Sequence, residues 1–301
     1  MIRIGIIDLD SSHAPEFTRR INHQAIEQEQ WVDGASVVAA YPGYSPAVVD
    51  AETKNAQYTQ DLLECGVEMV DSPEALLAMV DAVIIASDDG RRHYETGRMA
   101  IERGLPTFID KPMTCSLSEA VALVELADAN DVPLCSASSL RYAPELVEIT
   151  DGGAIGEIVG ADALTPSPSN CEGVPGMFYY GMHGVEILYT LMGPGCESVY
   201  CAETEFGALA AGIWQDGRLG SVRGYVRGAG GFGFRAIGED DARQQIVGTR
   251  FIYRELLKRV IAMFATGERP IDPRETLEII AFIEAAVESA RTGRPVDVNV
   301  P

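Results

Sequence analysis

Ala82-Val83-Ile84-Ile85-Ala86 is an unbroken apolar run rich in β-branched side chains, the pattern of a strand buried on both faces. A polar loop, Ser87 to Arg92, follows it, and helical spacing then runs to about Arg103. The same unit recurs on either side. Upstream, Ile2 to Ile7 reads as a strand, with Pro15 and Glu16 in the first turn of a helix to about Glu29, since proline lacks a donor that this turn leaves unpaired anyway. Ala35 to Ala40 is a second strand. Ser45-Pro46 has the form of a cap opening a helix to about Glu64, Val67 to Val70 is a short strand, and Ser72-Pro73-Glu74 caps Ala75 to Val80. Downstream come strand Pro106 to Ile109, helix Ser118 to Asn130 and strand Pro133 to Ser136. Short strands alternating with longer helices predict βαβ units, hence a doubly wound α/β domain with a parallel sheet over residues 1–137.

The pattern changes after Arg141. A helix near Pro144 to Ile149 ends at Asp151-Gly152-Gly153, strand-like Glu157 to Leu164 follows, and a Pro, Ser, Asn and Gly loop runs from Thr165 to Gly176. Met182 to Met192 has helical spacing. Strands are expected at Ser198 to Thr204, Ala208 to Trp214, Leu219 to Val226 and Phe234 to Gly238, with a turn at Asp216-Gly217. Helices over about Arg250 to Thr266 and Pro273 to Arg291 close the chain. Residues 138–301 therefore read as an α+β domain with an open, mainly antiparallel sheet.

Composition narrows the function. The 301 residues are 47% apolar with a mean hydropathy of +0.04, as in globular proteins, and no apolar run approaches the roughly 20 residues that span a bilayer. The amino terminus meets Asp8 too early for a signal-peptide core, so a cytoplasmic location is expected. A net charge of −22 argues against binding nucleic acid through its phosphates. Six scattered cysteines form neither a zinc spacing nor a disulfide framework, and no metal set is expected.

Only three of the chain's 23 basic residues are lysines, Lys54, Lys111 and Lys258. Lys111 stands at the end of a buried strand in Thr107-Phe108-Ile109-Asp110-Lys111-Pro112, and open α/β sheets bind ligands at such ends. A dinucleotide site would normally place G-x-G-x-x-G between the first strand and helix. Asp8-Leu9-Asp10-Ser11-Ser12-His13 stands there instead. A carboxylate about 4 Å from a phosphate costs roughly 4 kcal/mol at an effective dielectric of about 20, so the usual seat is rearranged. The second strand ends in Tyr41-Pro42-Gly43-Tyr44 rather than in an acid for the ribose. A true match, Gly228-Ala229-Gly230-Gly231-Phe232-Gly233, has strands on both sides and reads as a β connection.

Ile6-Ile7-Asp8-Leu9-Asp10 also fits the first motif of haloacid-dehalogenase-type phosphatases, with Asp8 as nucleophile and Asp10 as acid/base. No acidic pair for magnesium follows the last strand of this domain, which weighs against that rival. His183, set between glycines at the start of a helix with Tyr179 four residues before it and Glu186 three after, is a candidate proton carrier near neutral pH.

Together these features resemble the glucose-fructose oxidoreductase, inositol dehydrogenase and rhizopine-catabolism (Gfo/Idh/MocA) family. The resemblance rests on Ser87-Asp88-Asp89 with His93 beyond, Asp110-Lys111-Pro112 in place of that family's Glu-Lys-Pro, Leu140-Arg141-Tyr142-Ala143-Pro144, Ile155-Gly156-Glu157-Ile158-Val159, the His183 helix ending Leu191-Met192-Gly193, and Glu284-Ala285-Ala286-Val287-Glu288-Ser289-Ala290. It implies a Rossmann domain holding NAD or NADP against Asp8, Asp10, Ser11, Ser12, His13, Ser87, Asp88, His93 and Asp110. It further implies catalysis by Lys111 and His183 on a sugar or cyclitol hydroxyl, with Arg141, Tyr180 and Glu186 on the substrate side. The family's aspartate four residues before the histidine is Tyr179 here, so the tyrosine either joins the proton relay or marks altered chemistry. A sugar or polyol is the expected partner, with self-association through the second sheet. The alternative is a non-redox member that binds sugars or acts as a lyase or epimerase.

Overall fold

Alternation of apolar strands and helices in the first half produces one parallel sheet. Its strands are β1 (Ile2–Ile7), β2 (Ala35–Tyr41), β3 (Glu68–Met69), β4 (Ala82–Ile85), β5 (Thr107–Ile109) and β6 (Leu134–Ser136), in the order β3-β2-β1-β4-β5-β6. Every pairing is parallel, and Ile6 of β1 lies beside Ala40 of β2 and Ile84 of β4. The winding reverses between β1 and β4, and the crevice beyond their carboxyl ends is where such sheets take ligands. This computed structural model describes residues 1–301 apart from Gly152 and Ala229. The helix end at Asp151-Gly152-Gly153 and the Gly228 to Gly233 connection each include one residue outside the described set.

Helices α1 (His13–Ile21), α2 (Ala51–Glu64), α3 (Pro73–Leu77), α4 (His93–Glu102) and α5 (Leu117–Ala129) connect these strands. Two begin or end differently from their sequence signals. The first stops at Ile21 rather than near Glu29, because the Asn22 side chain bonds both the N–H (2.8 Å) and the carbonyl (2.9 Å) of Val37 and turns the chain onto β2. The second starts at Ala51, not at Ser45-Pro46. Ser45 gives its N–H to Asp10 (2.8 Å) and its hydroxyl to Asp89 (2.7 Å), which ties it to the neighbouring loops, and although its Oγ accepts from Ala47 N–H (3.4 Å) the chain passes through turns before the helix begins. At Ser72 the cap signal holds, its Oγ accepting from Ala75 N–H at 3.2 Å.

The second half carries α6 (Pro144–Thr150), β7 (Ile158–Pro166), a wide helical turn at Met177–Gly181 leading into α7 (Met182–Met192), and then β8 (Cys196–Thr204), β9 (Gly207–Trp214), β10 (Leu219–Tyr225), β11 (Gly233–Gly238) and β12 (Ala242–Ile246). Helices α8 (Ile252–Thr266) and α9 (Pro273–Thr292) and strand β13 (Val296–Asp297) complete it. The sheet order is β12-β11-β7-β10-β9-β8-β13. Its pairings are antiparallel except β7 with β10, which makes the sheet mixed. Strand alternation sends Ala208, Ala210 and Trp214 inward and leaves Leu209 and Ile213 exposed. Gly184 lets α7 lie close on that sheet, since a Cβ there would press into Thr165 and Val222. Helix α8 instead crosses back: Leu256, Leu257, Val260 and Met263 share a core with Ile4, Ile6 and Phe17 under the first sheet. No helix among the described residues is long and apolar enough to cross a membrane.

Candidate functional site

The loops after β1, β4 and β5 and the starts of α7 and α8 enclose a cavity of about 510 Å³, within the usual size of small-molecule sites. Asp10, Ser11, Ser12, His13, Asp88, Lys111, Tyr179, Tyr180 and His183, all singled out in the sequence, line it. Sequence reasoning missed Lys54, Tyr58, Ser139, Leu140, Asn170, Phe232, Thr249, Ile252 and Tyr253. These come from separate segments with no shared motif, so only the folded chain gathers them.

Lys111 follows β5 and is buried with its Nζ 4.0 Å from Asp110 Oδ2. The same Asp110 oxygen lies 2.6 Å from His13 Nδ1. Burial works against the Asp110 charge, but His13 and Lys111 outweigh it and hold this carboxyl well below the usual range. The His13 ring is fixed by stacking on Phe17 at 5.0 Å and by the edge of Tyr253 at 5.1 Å. Across the cavity, His183 Nδ1 is 2.7 Å from Ser138 Oγ, and its ring meets Tyr180 and Phe232 edge to face. Burial, then the nearby Lys111 and His13, push the His183 pKa well below 6.5, so this ring stays neutral.

Tyr179 donates its hydroxyl to Asp88 Oδ2 at 2.8 Å. Burial and then the Asp88 charge raise the phenol's pKa, which keeps the proton on Tyr179. Other expected site residues serve elsewhere. Arg141 and Glu186 do not line the cavity: Arg141 Nε bonds Glu186 Oε1 at 2.6 Å and its Nη2 bonds Glu275 Oε1 at 2.5 Å, a partly buried triad joining α7 to α9. Both carboxylates draw on the one guanidinium, so the Nε and Nη2 donors of Arg141 are committed within the fold rather than to a substrate. His93 is fully buried, Nδ1 on the Pro112 carbonyl (2.8 Å) and Nε2 on the Ser87 carbonyl (3.0 Å), and it ties the β4 loop to the β5 loop. Ser87 Oγ accepts from Asp89 N–H at 3.3 Å, away from the cavity.

The seat expected for a dinucleotide's diphosphate is filled by the chain itself. Asp8 takes φ of +68°, the left-handed turn that a glycine makes at no steric cost, and its carboxylate pairs with Arg92 at 2.9 and 3.2 Å. Gly43 packs so closely on it that a Cβ would overlap Asp8 Oδ1. Asp10 accepts from Ser45 N–H (2.8 Å) and Asp88 N–H (3.0 Å), pinning the β2 loop to the β4 loop, and Ser45 adds its bond to Asp89. Burial pushes Asp10 up to about 6, with those two N–H donors opposing the rise. At neutral pH it is therefore mostly ionised, an anion where a phosphate is expected. These residues do not fit a diphosphate held in the ordinary way.

The same contacts remove the phosphatase reading. Both Asp8 oxygens are committed to Arg92, so Asp8 is not a free nucleophile. Among the described residues no group of three or more His, Cys, Asp or Glu side chains is placed to hold a metal ion.

Comparison with known proteins agrees on the architecture. Residues 5–138 match the model of an oxidoreductase family with an NAD-binding Rossmann fold. An inositol 2-dehydrogenase from Paracoccus denitrificans is 30% identical over 166 residues, 54% of this chain and 44% of the relative, so the match spans less than half of that protein. The crystal structure of myo-inositol 2-dehydrogenase from Lactobacillus plantarum superposes with a TM-score of 0.81 at 16% identity, covering 99% of both chains. That of scyllo-inositol dehydrogenase from Lactobacillus casei, with bound NAD(H) and scyllo-inositol, does so with 0.77 at 15% identity, covering 99% of both. At these identities the likeness to the solved structures is one of fold.

Proposed function

We propose, from the match of residues 5–138 to an oxidoreductase family with an NAD-binding Rossmann fold, that the chain is an oxidoreductase of the Gfo/Idh/MocA type acting on a CH–OH carbon of a sugar or cyclitol. The observation that carries the reading is the cavity where Lys111, His183 and His13 converge at the carboxyl edge of the first sheet. Lys111 places an ammonium where oxygen gains negative charge as its proton leaves. His183, neutral and anchored on Ser138, offers its other ring nitrogen to the same oxygen. Tyr180, Phe232 and Tyr253 give the apolar walls a sugar ring packs against.

In the family a nicotinamide dinucleotide, NAD or NADP, supplies the hydride acceptor. The diphosphate seat described above does not fit that group as it stands, so the roles assigned here are limited to holding substrate and moving its proton. The test is NAD+ or NADP+ reduction with a panel of inositols and sugars, followed by nicotinamide absorbance. Turnover that saturates only at high cofactor concentration is expected. Absence of both turnover and saturable cofactor binding at millimolar concentration sinks the dehydrogenase reading.

The closed seat favours one second reading, a non-redox member that binds a sugar or moves a proton on it as an epimerase or lyase does. Cofactor-free exchange of a substrate C–H for deuterium in D2O would select it.

Self-association through the second sheet is part of the same proposal. Val159, Tyr200, Leu209, Ile213, Leu219 and Ile246 are exposed on that sheet, an apolar surface of the kind that marks interfaces. Light scattering coupled to gel filtration is expected to give a dimer or larger species, and a strict monomer at micromolar concentration would remove this part.

A further inference from the structure

Three acceptor or donor groups meet in the cavity, and they are not equivalent. His183 is neutral, with one nitrogen on Ser138. Tyr179 has its proton committed to Asp88. His13 differs from both: Nδ1 is held at 2.6 Å by a buried carboxylate, and Nε2 has no partner among the described residues. The ring lines the cavity and is clamped by Phe17 and Tyr253. A carboxylate behind one imidazole nitrogen fixes the tautomer, leaves the other nitrogen free to accept, and stabilises the imidazolium that forms.

We propose that His13, oriented by Asp110, is the catalytic base for the substrate hydroxyl, with His183 as a neutral hydrogen-bonding partner and Lys111 as the cation facing the oxygen. In the step, the hydroxyl O–H bond breaks and its electron pair stays on oxygen. A new N–H bond forms at His13 Nε2. The positive charge that results lies against Asp110, and the negative charge on oxygen faces Lys111 Nζ. The reverse step returns the proton to oxygen. His13 occupies the position of the fingerprint's last glycine, so one substitution both alters the dinucleotide seat and installs a base. The assignment rests on the cavity being the substrate site, and it holds for the redox and the non-redox reading alike.

The ionisable groups around the ring are Asp110 and Lys111 from the β5 loop, His183 from α7 and Tyr253 from α8. The test begins without a substrate. With only four histidines, 15N-histidine NMR of the full chain resolves each ring, and His13→Gln and His183→Gln assign them. The neutral His13 ring is expected to carry its proton on Nδ1, facing Asp110, and that tautomer preference to be lost in Asp110→Leu, which removes the acceptor. A proton on Nε2 in wild type, or a tautomer preference unchanged in Asp110→Leu, overturns the dyad.

Turnover of the best substrate of the inositol and sugar panel supplies the second arm. His13→Gln is expected to lower kcat at least a hundredfold with KM changed less than threefold, and added imidazole to restore at least fivefold in His13→Ala. Near-wild-type kcat in His13→Gln overturns the assignment. If no panel compound turns over, the substrate reading has failed, and the NMR result still decides the dyad.

Discussion

The two halves of the crevice above the first sheet differ in what they do with charge. At β1, β2 and β4, Asp8, Asp10 and Asp89 are matched internally by Arg92, Arg91 and backbone N–H groups, and three loops close on one another. After β5 and at the starts of α1 and α7, Lys111, His13 and His183 line the cavity. The first half has committed its polar groups to itself; the second presents polar groups to a cavity. The Rossmann strand order is thus kept while the loop after β1 is tied by its carboxylates to the β2 and β4 loops.

The largest expected effect lies on the open half. Lys111→Ala is expected to cut turnover at least a hundredfold, roughly 3 kcal/mol of transition-state stabilisation, with little loss of melting temperature. His183→Ala is expected to cost at least tenfold. Rates near wild type in both would erase the distinction between the halves, because neither would then hold chemistry.

On the closed half the effects fall on stability and its pH dependence. The Asp10 pKa is raised on folding to about 6, so its contribution to stability is fully present below the unfolded value near 4 and is lost as pH rises through about 6. A tenfold change in proton affinity is worth about 1.4 kcal/mol, and wild type is therefore expected to lose roughly 2–3 kcal/mol from this group between pH 4 and 7. Urea titrations across that range should show the slope disappear in Asp10→Asn. Asp89 adds the opposite trend at lower pH: although burial opposes it, Arg91 holds it at about 2, so its contribution is present above pH 4 and fades towards pH 2. A smaller loss, about 2 kcal/mol, is expected for Gly43→Ala, from overlap with Asp8 and Tyr41. A melting temperature unchanged in Gly43→Ala would mean that these loops are not packed as described.

The parallel sheet and the residues of the open half were the more legible from sequence. Ala82 to Ala86 and its neighbours announced the sheet, the scarcity of lysine pointed to Lys111, and flanking glycines pointed to His183. His13 was legible as a departure from the glycine fingerprint, but its partner Asp110 lies 97 residues away, so the dyad had no local signature. The closed half misled for a similar reason. Ser45-Pro46 has the form of a helix cap, and only the distant Asp10 and Asp89 divert it. Arg141 and Glu186 looked available because nothing in their neighbourhood announces Glu275, which completes their triad.

The central claim, that the chain's own carboxylates fill the diphosphate seat while the cavity beside it remains a working site, is tested most directly by calorimetric titration of NAD+ into wild type and an Asp8→Gly/Asp10→Gly double variant. The account predicts no saturation of wild type below about 1 mM and at least thirtyfold tighter binding in the double variant, about 2 kcal/mol. Micromolar binding to wild type, with no gain in the variant, would contradict it.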